Sequence, residues 1–195
     1  SIEGVSSTLL RKPMPKRLFI LDANALLHRA WHALPPLTAP DGTVVNAVYG
    51  VLMAVLQVVA RDRPDAFVAC WDTAAPTFRH EAFEAYKAQR ERQADELYAQ
   101  IPLLQEGLGS LGVPSLECPG FEADDLIGTL AKQAAAQGWE VMIFTGDRDL
   151  LQLITPGISV NLFKKGMTEL QLVDEATMPT LFGLTPAQMV DYKIL

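Results

Sequence analysis

Residues 114–150 read PSLECPGFEADDLIGTLAKQAAAQGWEVMIFTGDRDL, and they decide the fold. Pro114–Cys118 predicts a short strand, and Pro119-Gly120 supplies a turn. From Glu122 to about Gln137 the pattern predicts a helix, which Gly138 stops at its C-terminal end. Glu140–Thr145 predicts a second strand. Strand, helix and strand within roughly thirty residues form a βαβ unit, whose parallel crossover is right-handed. The same stretch places Glu122, Asp124 and Asp125 after its first strand and Asp147 and Asp149 after its second.

Toward the N terminus the alternation continues. Arg17–Leu21 predicts a strand, Ala23–Trp31 a helix ended by Pro35-Pro36, and Pro40-Asp41-Gly42 a turn. Asn46 is placed to cap a long apolar helix, Ala47–Ala60, and Ala66–Trp71 predicts the next strand. An amphipathic helix is expected from Asp95 to about Leu111. Beyond the βαβ unit, Ile158–Phe163 and Thr168–Val173 flank Lys164-Lys165-Gly166 as a hairpin. Asp174–Phe182 and Pro186–Lys193 predict short helices capped by Asp174 and Thr185. Strands alternating with helices indicate an α/β class with a mostly parallel sheet.

The acids follow the strands. Asp22 closes Leu18–Leu21, Asp72 closes Phe67–Trp71, and the other five follow the two strands of the βαβ unit. In an open α/β sheet the carboxyl ends of the strands border one crevice, where ligands bind. Two unit charges about 5 Å apart repel by roughly 3 kcal/mol at an effective dielectric near 20. Crowded carboxylates therefore call for cations, and oxygen-only ligands favour hard ions such as Mg²⁺ or Mn²⁺. Singly, each acid has an ordinary use. Asp22 would cap Ala23–Trp31, Asp149 would cap Leu150–Leu153, and Glu122 or Asp124 would favour a helix N terminus. Capping is not expected to account for their convergence, so the set Asp22, Asp72, Glu122, Asp124, Asp125, Asp147 and Asp149 is assigned to metal binding. Carboxylate-held ions suit hydrolysis of a phosphodiester by water, with two ions in the usual arrangement.

Composition narrows the alternatives. The chain has 195 residues, 49% of them hydrophobic and 20% charged, which suits one globular α/β domain. No apolar run reaches the roughly 20 residues that span a membrane. The only cysteines, Cys70 and Cys118, sit in or beside apolar runs and are expected as buried thiols of a cytoplasmic protein. No CxxC pair, GxxxxGK[ST] loop or GxGxxG turn is present, and His28, His32 and His80 are scattered. The net charge of −7 argues against nucleic acid at first sight, yet the seven acids of the cluster account for all of it. Residues 76–93 mix Arg79, His80, Lys87, Arg90 and Arg92 with Phe78, Phe83 and Tyr86, a combination that reads either as a solvated helical face or as one that suits a single strand through phosphate pairing and base stacking.

Five segments together resemble a known family. They are Leu21-Asp22-Ala23-Asn24, Tyr49-Gly50, Trp71-Asp72 with Pro76–Glu81, Gly120–Asp125 and Thr145–Leu150. In order and spacing they are similar to the 5′-nuclease (5′-3′ exonuclease) domains of bacterial DNA polymerase I, relatives of the flap endonucleases and PIN-type nucleases. The resemblance runs from about Lys16 to the end. It implies a three-layer α/β/α core of the PIN-like, resolvase-like kind with a helical arch at 76–93; residues 1–15, which show little periodicity, read as a flexible extension or tag remnant. It also implies that the seven acids hold two or more Mg²⁺ or Mn²⁺ ions and are the catalytic set. Arg29, Arg79, Lys87 and Arg90 fall where the family places basic residues that bind DNA.

The implied activity is 5′-3′ exonuclease and flap endonuclease cleavage in DNA replication and repair, on 5′ flaps, 5′ ends or RNA primers hybridised to DNA, by a monomer with no membrane association. Three departures stand out. Ala23 replaces a usual glycine, and Arg90-Glu91-Arg92-Gln93 lacks the prolines usual in the arch. The chain also stops at Leu195, before a family Gly-Asp-x-Ser-Asp motif and a duplex-gripping helical element, so weak or absent activity is expected of it alone. A non-catalytic flap or single-strand DNA-binding module is the alternative from another class, and a PIN-type ribonuclease is a further one.

Overall fold

The computed structural model describes residues 14–73 and 95–192. The arch at 76–93, with Arg79, Lys87 and Arg90, therefore lies outside the described residues, as does the extension at 1–15 except for Met14 and Pro15. Strand β1 (Arg17–Asp22) occupies the middle of a six-stranded sheet. Its Phe19, Ile20 and Leu21 are buried on both faces, which is why the strand reads as a continuous apolar run rather than an alternating one. β2 (Ala66–Cys70) pairs with it on one side and β4 (Glu140–Thr145) on the other, both parallel. β3 (Ser115–Leu116) extends the sheet beyond β2, and β5 (Ile158–Lys165) extends it beyond β4. β6 (Glu169–Val173) pairs antiparallel with β5 through the predicted hairpin, with a register shift between Phe163 and Lys165.

The strand order is thus β3-β2-β1-β4-β5-β6. Its direction of travel reverses between β1 and β4, and ligands of open α/β sheets bind in the crevice outside the carboxyl ends at such a reversal. Helices cover both faces, giving the expected three layers. On one side α1 (Ala23–Ala33), α2 (Asn46–Asp62) and α4 (Gln100–Ser110) enclose Phe19, Leu21, Phe67 and Phe144. The three phenylalanine rings meet with centroids 5.1–5.9 Å apart. On the other side α5 (Ala123–Ala136) and a 3₁₀ helix (Arg148–Leu153) cover Ile20, Ile143 and Val160. Gly50 lets α2 approach α1: a Cβ there would lie 2.6 Å from Leu34 and 3.1 Å from Ala30. Among the described residues no helix is long and apolar enough to cross a membrane.

Several local expectations are corrected. The helix predicted over Asp95–Leu111 is divided at Ala99 into α3 (Asp95–Tyr98) and α4. Pro102 has no N–H to offer the Tyr98 carbonyl, so the ladder is interrupted there. Asn46 is not a cap: Val45 precedes α2, and Asn46 is buried within its first turn. Its amide donates to the Trp31 and Leu34 carbonyls, both at 3.4 Å. The acceptor for the start of α2 is Gln100 Oε1, which takes the N–H groups of Ala47 and Val48 at 3.0 and 3.1 Å. The strand expected at Pro114–Cys118 contracts to Ser115–Leu116, because β2 offers only Ala69 and Cys70 as register partners. Asp174 organises a turn, accepting from Thr177, and the helix after it covers only Met178–Phe182.

A carboxylate site at the sheet edge

The reversal point is lined by the predicted acids. Asp22 is both the last residue of β1 and the N-cap of α1; its Oδ1 accepts the Ala25 N–H at 3.2 Å. Its Oδ2 accepts from the hydroxyl of Thr145, the last residue of β4, at 2.6 Å. Asp22 is only 3% exposed, and burial pushes its carboxyl up to about 7. The negative charges of Asp124 and Asp72 raise it further, while Thr145 and Ala25 oppose the shift. Three acids from β1, the end of β2 and α5 thus act on one another electrostatically, although they are distant in sequence.

The turn after β4 carries the next two acids. Thr145 Oγ1 accepts the Asp147 N–H at 2.9 Å, and Asp147 Oδ1 accepts the Asp149 N–H at 2.8 Å. Asp147, not Asp149, therefore caps the 3₁₀ helix, a correction to the sequence expectation. Asp72 stands just past β2 and reaches the opposite layer, where its Oδ1 accepts the Ala123 N–H at 2.8 Å. Glu122 and Asp125 form a capping box at the start of α5, in which the Glu122 N–H donates to Asp125 Oδ2 at 3.1 Å.

Capping is therefore more pervasive than expected, since Asp22, Asp72, Glu122, Asp125 and Asp147 all take part in it. The two uses are compatible. A carboxylate has two oxygens and about four lone-pair positions, so one N–H bond leaves acceptor capacity for a cation. The strand ends and helix starts meet at the same edge, where the capping acids Asp125 and Asp147 line open clefts, whereas Asp22, Asp72 and Glu122 line neither.

Two open clefts flank these residues. One, of about 680 Å³, is lined by Asp124, Asp125 and Asp149 together with Phe121, Thr129 and Lys132. The other, of about 530 Å³, is lined by Asp147, Gly146, Arg29, His28 and His32. Arg29 stands on α1, and its Nε donates to the Gly166 carbonyl of the β5–β6 hairpin at 2.9 Å. The structure thus brings Arg29 beside the acids, whereas the other basic residues of the prediction, Arg79, Lys87 and Arg90, are outside the described residues. Among the described residues no three histidine, cysteine or acidic side chains already surround a single point.

The donor chemistry nevertheless fits a hard divalent ion. The cluster offers oxygens alone, its buried carboxylate feels the charges of Asp124 and Asp72, and among the described residues Asn24 Oδ1, two residues beyond Asp22, is buried with no hydrogen-bond partner. Cys70 does not compete as a nucleophile. It is fully buried, and burial, aided by the charge of Asp22, pushes its thiol up to about 12. Cys118 is half-buried at the cleft wall, not enclosed as expected. The residue that sequence reasoning overlooked is Thr145. The available signal was a hydroxyl at the last position of a strand, directly before a Gly-Asp turn.

Comparison with known proteins bears on the family and the fold. The family profile described as "5′-3′ exonuclease, N-terminal resolvase-like domain" matches residues 17–183. A DNA polymerase I of Bacillus caldotenax is 41% identical over 180 residues, covering 92% of this chain and 20% of its own length. A thermostable DNA polymerase I of Thermus thermophilus is 42% identical over 179 residues, covering 92% and 21%. The chain therefore spans about a fifth of the length of the curated relatives it matches. Among solved structures, a T5 5′-exonuclease with bound zinc superposes with a TM-score of 0.68 at 19% identity, over 92% of this chain and 66% of that one. A bacteriophage T5 flap endonuclease in a pseudo-enzyme–product complex with DNA and metal ions gives 0.65 at 17% identity, over 91% and 65%. At such identities these two show a shared fold.

Proposed function

Because this chain belongs to the family of 5′-3′ exonuclease N-terminal resolvase-like domains, we propose that it is the catalytic core of a divalent-metal-dependent 5′ nuclease acting on DNA. The setting is that of a DNA polymerase I in replication and repair, with 5′ flaps, 5′ ends and primer RNA hybridised to DNA as substrates. The observation that carries this reading is the Asp22 carboxylate buried at the reversal point of the sheet, raised chiefly by that burial and further by the charges of Asp124 and Asp72. Mutually repelling carboxylates retained at a ligand crevice favour cation binding.

Asp22, Asp72, Glu122, Asp124, Asp125, Asp147 and Asp149 would hold two or more Mg²⁺ or Mn²⁺ ions, which the oxygen-only donor set favours. Such ions, when bound, make water a stronger nucleophile and offset charge on the departing oxygen. The residues themselves have separable tasks. Asp22 anchors the set from β1, Asp72 ties β2 to α5, and Asp147 and Asp149 present the edge of the 3₁₀ helix. Arg29, together with Arg79, Lys87 and Arg90 of the proposed arch, would pair with DNA phosphates. The chain would work as a monomer.

Cleavage of an end-labelled 5′-flap DNA, with Mg²⁺, with Mn²⁺ and with chelator, tests the proposal. Slow cleavage is expected from this chain with either ion, none with chelator, and none from D124A. Cleavage surviving either chelation or D124A would overturn it. An RNA flap cut in preference to the DNA flap would instead favour a PIN-type ribonuclease. Flap binding that is lost in K87A, with no metal dependence of any kind, would favour a binding module.

A further inference from the structure

We propose that Thr145 is a positioning residue that ties Asp22 to Asp147 and sets the spacing of the acids for a divalent cation, an inference that rests on the metal-dependent reading above. Thr145 is fully buried at the end of β4. Its Oγ1 donates to Asp22 Oδ2 at 2.6 Å, and the same oxygen accepts the Asp147 N–H at 2.9 Å. A hydroxyl has one proton and two lone pairs. The Asp147 N–H can only donate and takes one of those lone pairs, while the hydroxyl proton is directed to Asp22 Oδ2.

The two acids come from different elements. Asp22 ends β1, and Asp147 lies in the turn after β4, the neighbouring strand in which Phe144 pairs with Leu21. The hydroxyl is the side-chain link between those strand ends. Its effect reaches further, because Asp147 Oδ1 in turn accepts the Asp149 N–H at 2.8 Å. One buried hydroxyl therefore orders three of the seven acids. Valine has nearly the same shape but would leave a buried carboxylate oxygen and a backbone N–H without their partner. Serine keeps the hydroxyl. Loss of a group that orients metal ligands typically weakens metal affinity by about 10–100-fold.

The test is Mn²⁺ binding to the 195-residue chain, read by electron paramagnetic resonance of free Mn²⁺ and by calorimetry, with circular dichroism to verify folding. T145V is expected to bind about 10–100-fold more weakly than the wild type, and T145S close to it. T145C, of similar size but with a weak thiol donor, is expected to be weakened too and decides the matter if T145V does not fold. Wild-type affinity in T145V or T145C, or T145S as weak as T145V, would overturn the role even if thermal stability falls. A wild-type chain that binds no Mn²⁺, or D147A binding as tightly as the wild type, would overturn the underlying metal assignment as well. Binding lost in D147A but intact in T145V and T145C would sink Thr145 alone.

Discussion

Asp72 Oδ1 accepts the backbone N–H of Ala123 at 2.8 Å, so the carboxylate that follows β2 closes the N terminus of the helix on the opposite layer. One side chain thus serves both the fold and the proposed chemistry, and substitution separates the two. D72N keeps an acceptor oxygen and loses the charge, whereas D72A loses both. In urea denaturation, D72A is expected to cost about 1 kcal/mol, the usual value of a lost cap, and D72N less. Both variants should lose Mn²⁺ affinity and flap cleavage. Equal stability losses in the two would show that charge, not the hydrogen bond, is what Asp72 contributes to the fold.

Asp22 gives a pH dependence with a definite sign. Its folded-state value, about 7, lies above the ordinary 3.8, so the unfolded chain releases this proton first. Without added metal, the Asp22 contribution to stability is complete below pH 3.8, declines as pH rises to about 7, and is flat beyond. Roughly 1.4 kcal/mol per unit makes the loss on the order of 4 kcal/mol. In chelator at pH 8, D22N should therefore melt higher than the wild type, and Mn²⁺ should raise the melting temperature of the wild type alone. Mn²⁺ affinity of the wild type should also fall as pH drops from 8 to 6, since a ligand must lose its proton to bind. A D22N chain less stable than the wild type at pH 8 would contradict this account.

Gln100 predicts a large effect far from the acids. It is fully buried, accepts the Ala47 and Val48 N–H groups, and donates to Asn46 Oδ1 at 3.2 Å. Q100L would strand two backbone donors and a buried amide, each costing about 1–3 kcal/mol. A total loss of about 3 kcal/mol in chemical denaturation is expected, with the Mn²⁺ affinity of the folded fraction unchanged. A loss below about 1 kcal/mol, no more than a typical single hydrogen bond, would mean that water replaces the side chain.

Arg29 lies beside Asp147 and is held by the Gly166 carbonyl. R29A is expected to weaken flap binding and to reduce the salt dependence of that binding by about one phosphate contact. Its Mn²⁺ affinity should stay at the wild-type level. An unchanged salt slope would remove Arg29 from the DNA-binding set.

Much of this was legible because it is local. The continuous apolar run of β1, the Gly138 stop and the βαβ unit depend on near neighbours, and all are present in the structure. The acids were legible for the same reason: each follows a strand closely, and strand ends collect at one edge. The errors have equally specific causes. Apolar periodicity predicts a continuous helix at 95–111 because it continues through a missing N–H at Pro102. Position alone predicts Asn46 as a cap, while its real partner, Gln100, belongs to another helix.

The sequence by itself determined the α/β alternation, the identity of the acids and the edge to which they would be delivered, because strand and helix periodicities and the direction of the chain are written in consecutive residues. Tertiary structure alone decided which oxygen meets which donor. The Asp22–Thr145 bond spans 123 positions, Asp72–Ala123 spans 51 and Ala47–Gln100 spans 53. A hydrogen bond weakens steeply with small errors of distance and angle. Such contacts arise only once every packed layer has settled, and that is where Thr145 gained a role that its place in the sequence does not state.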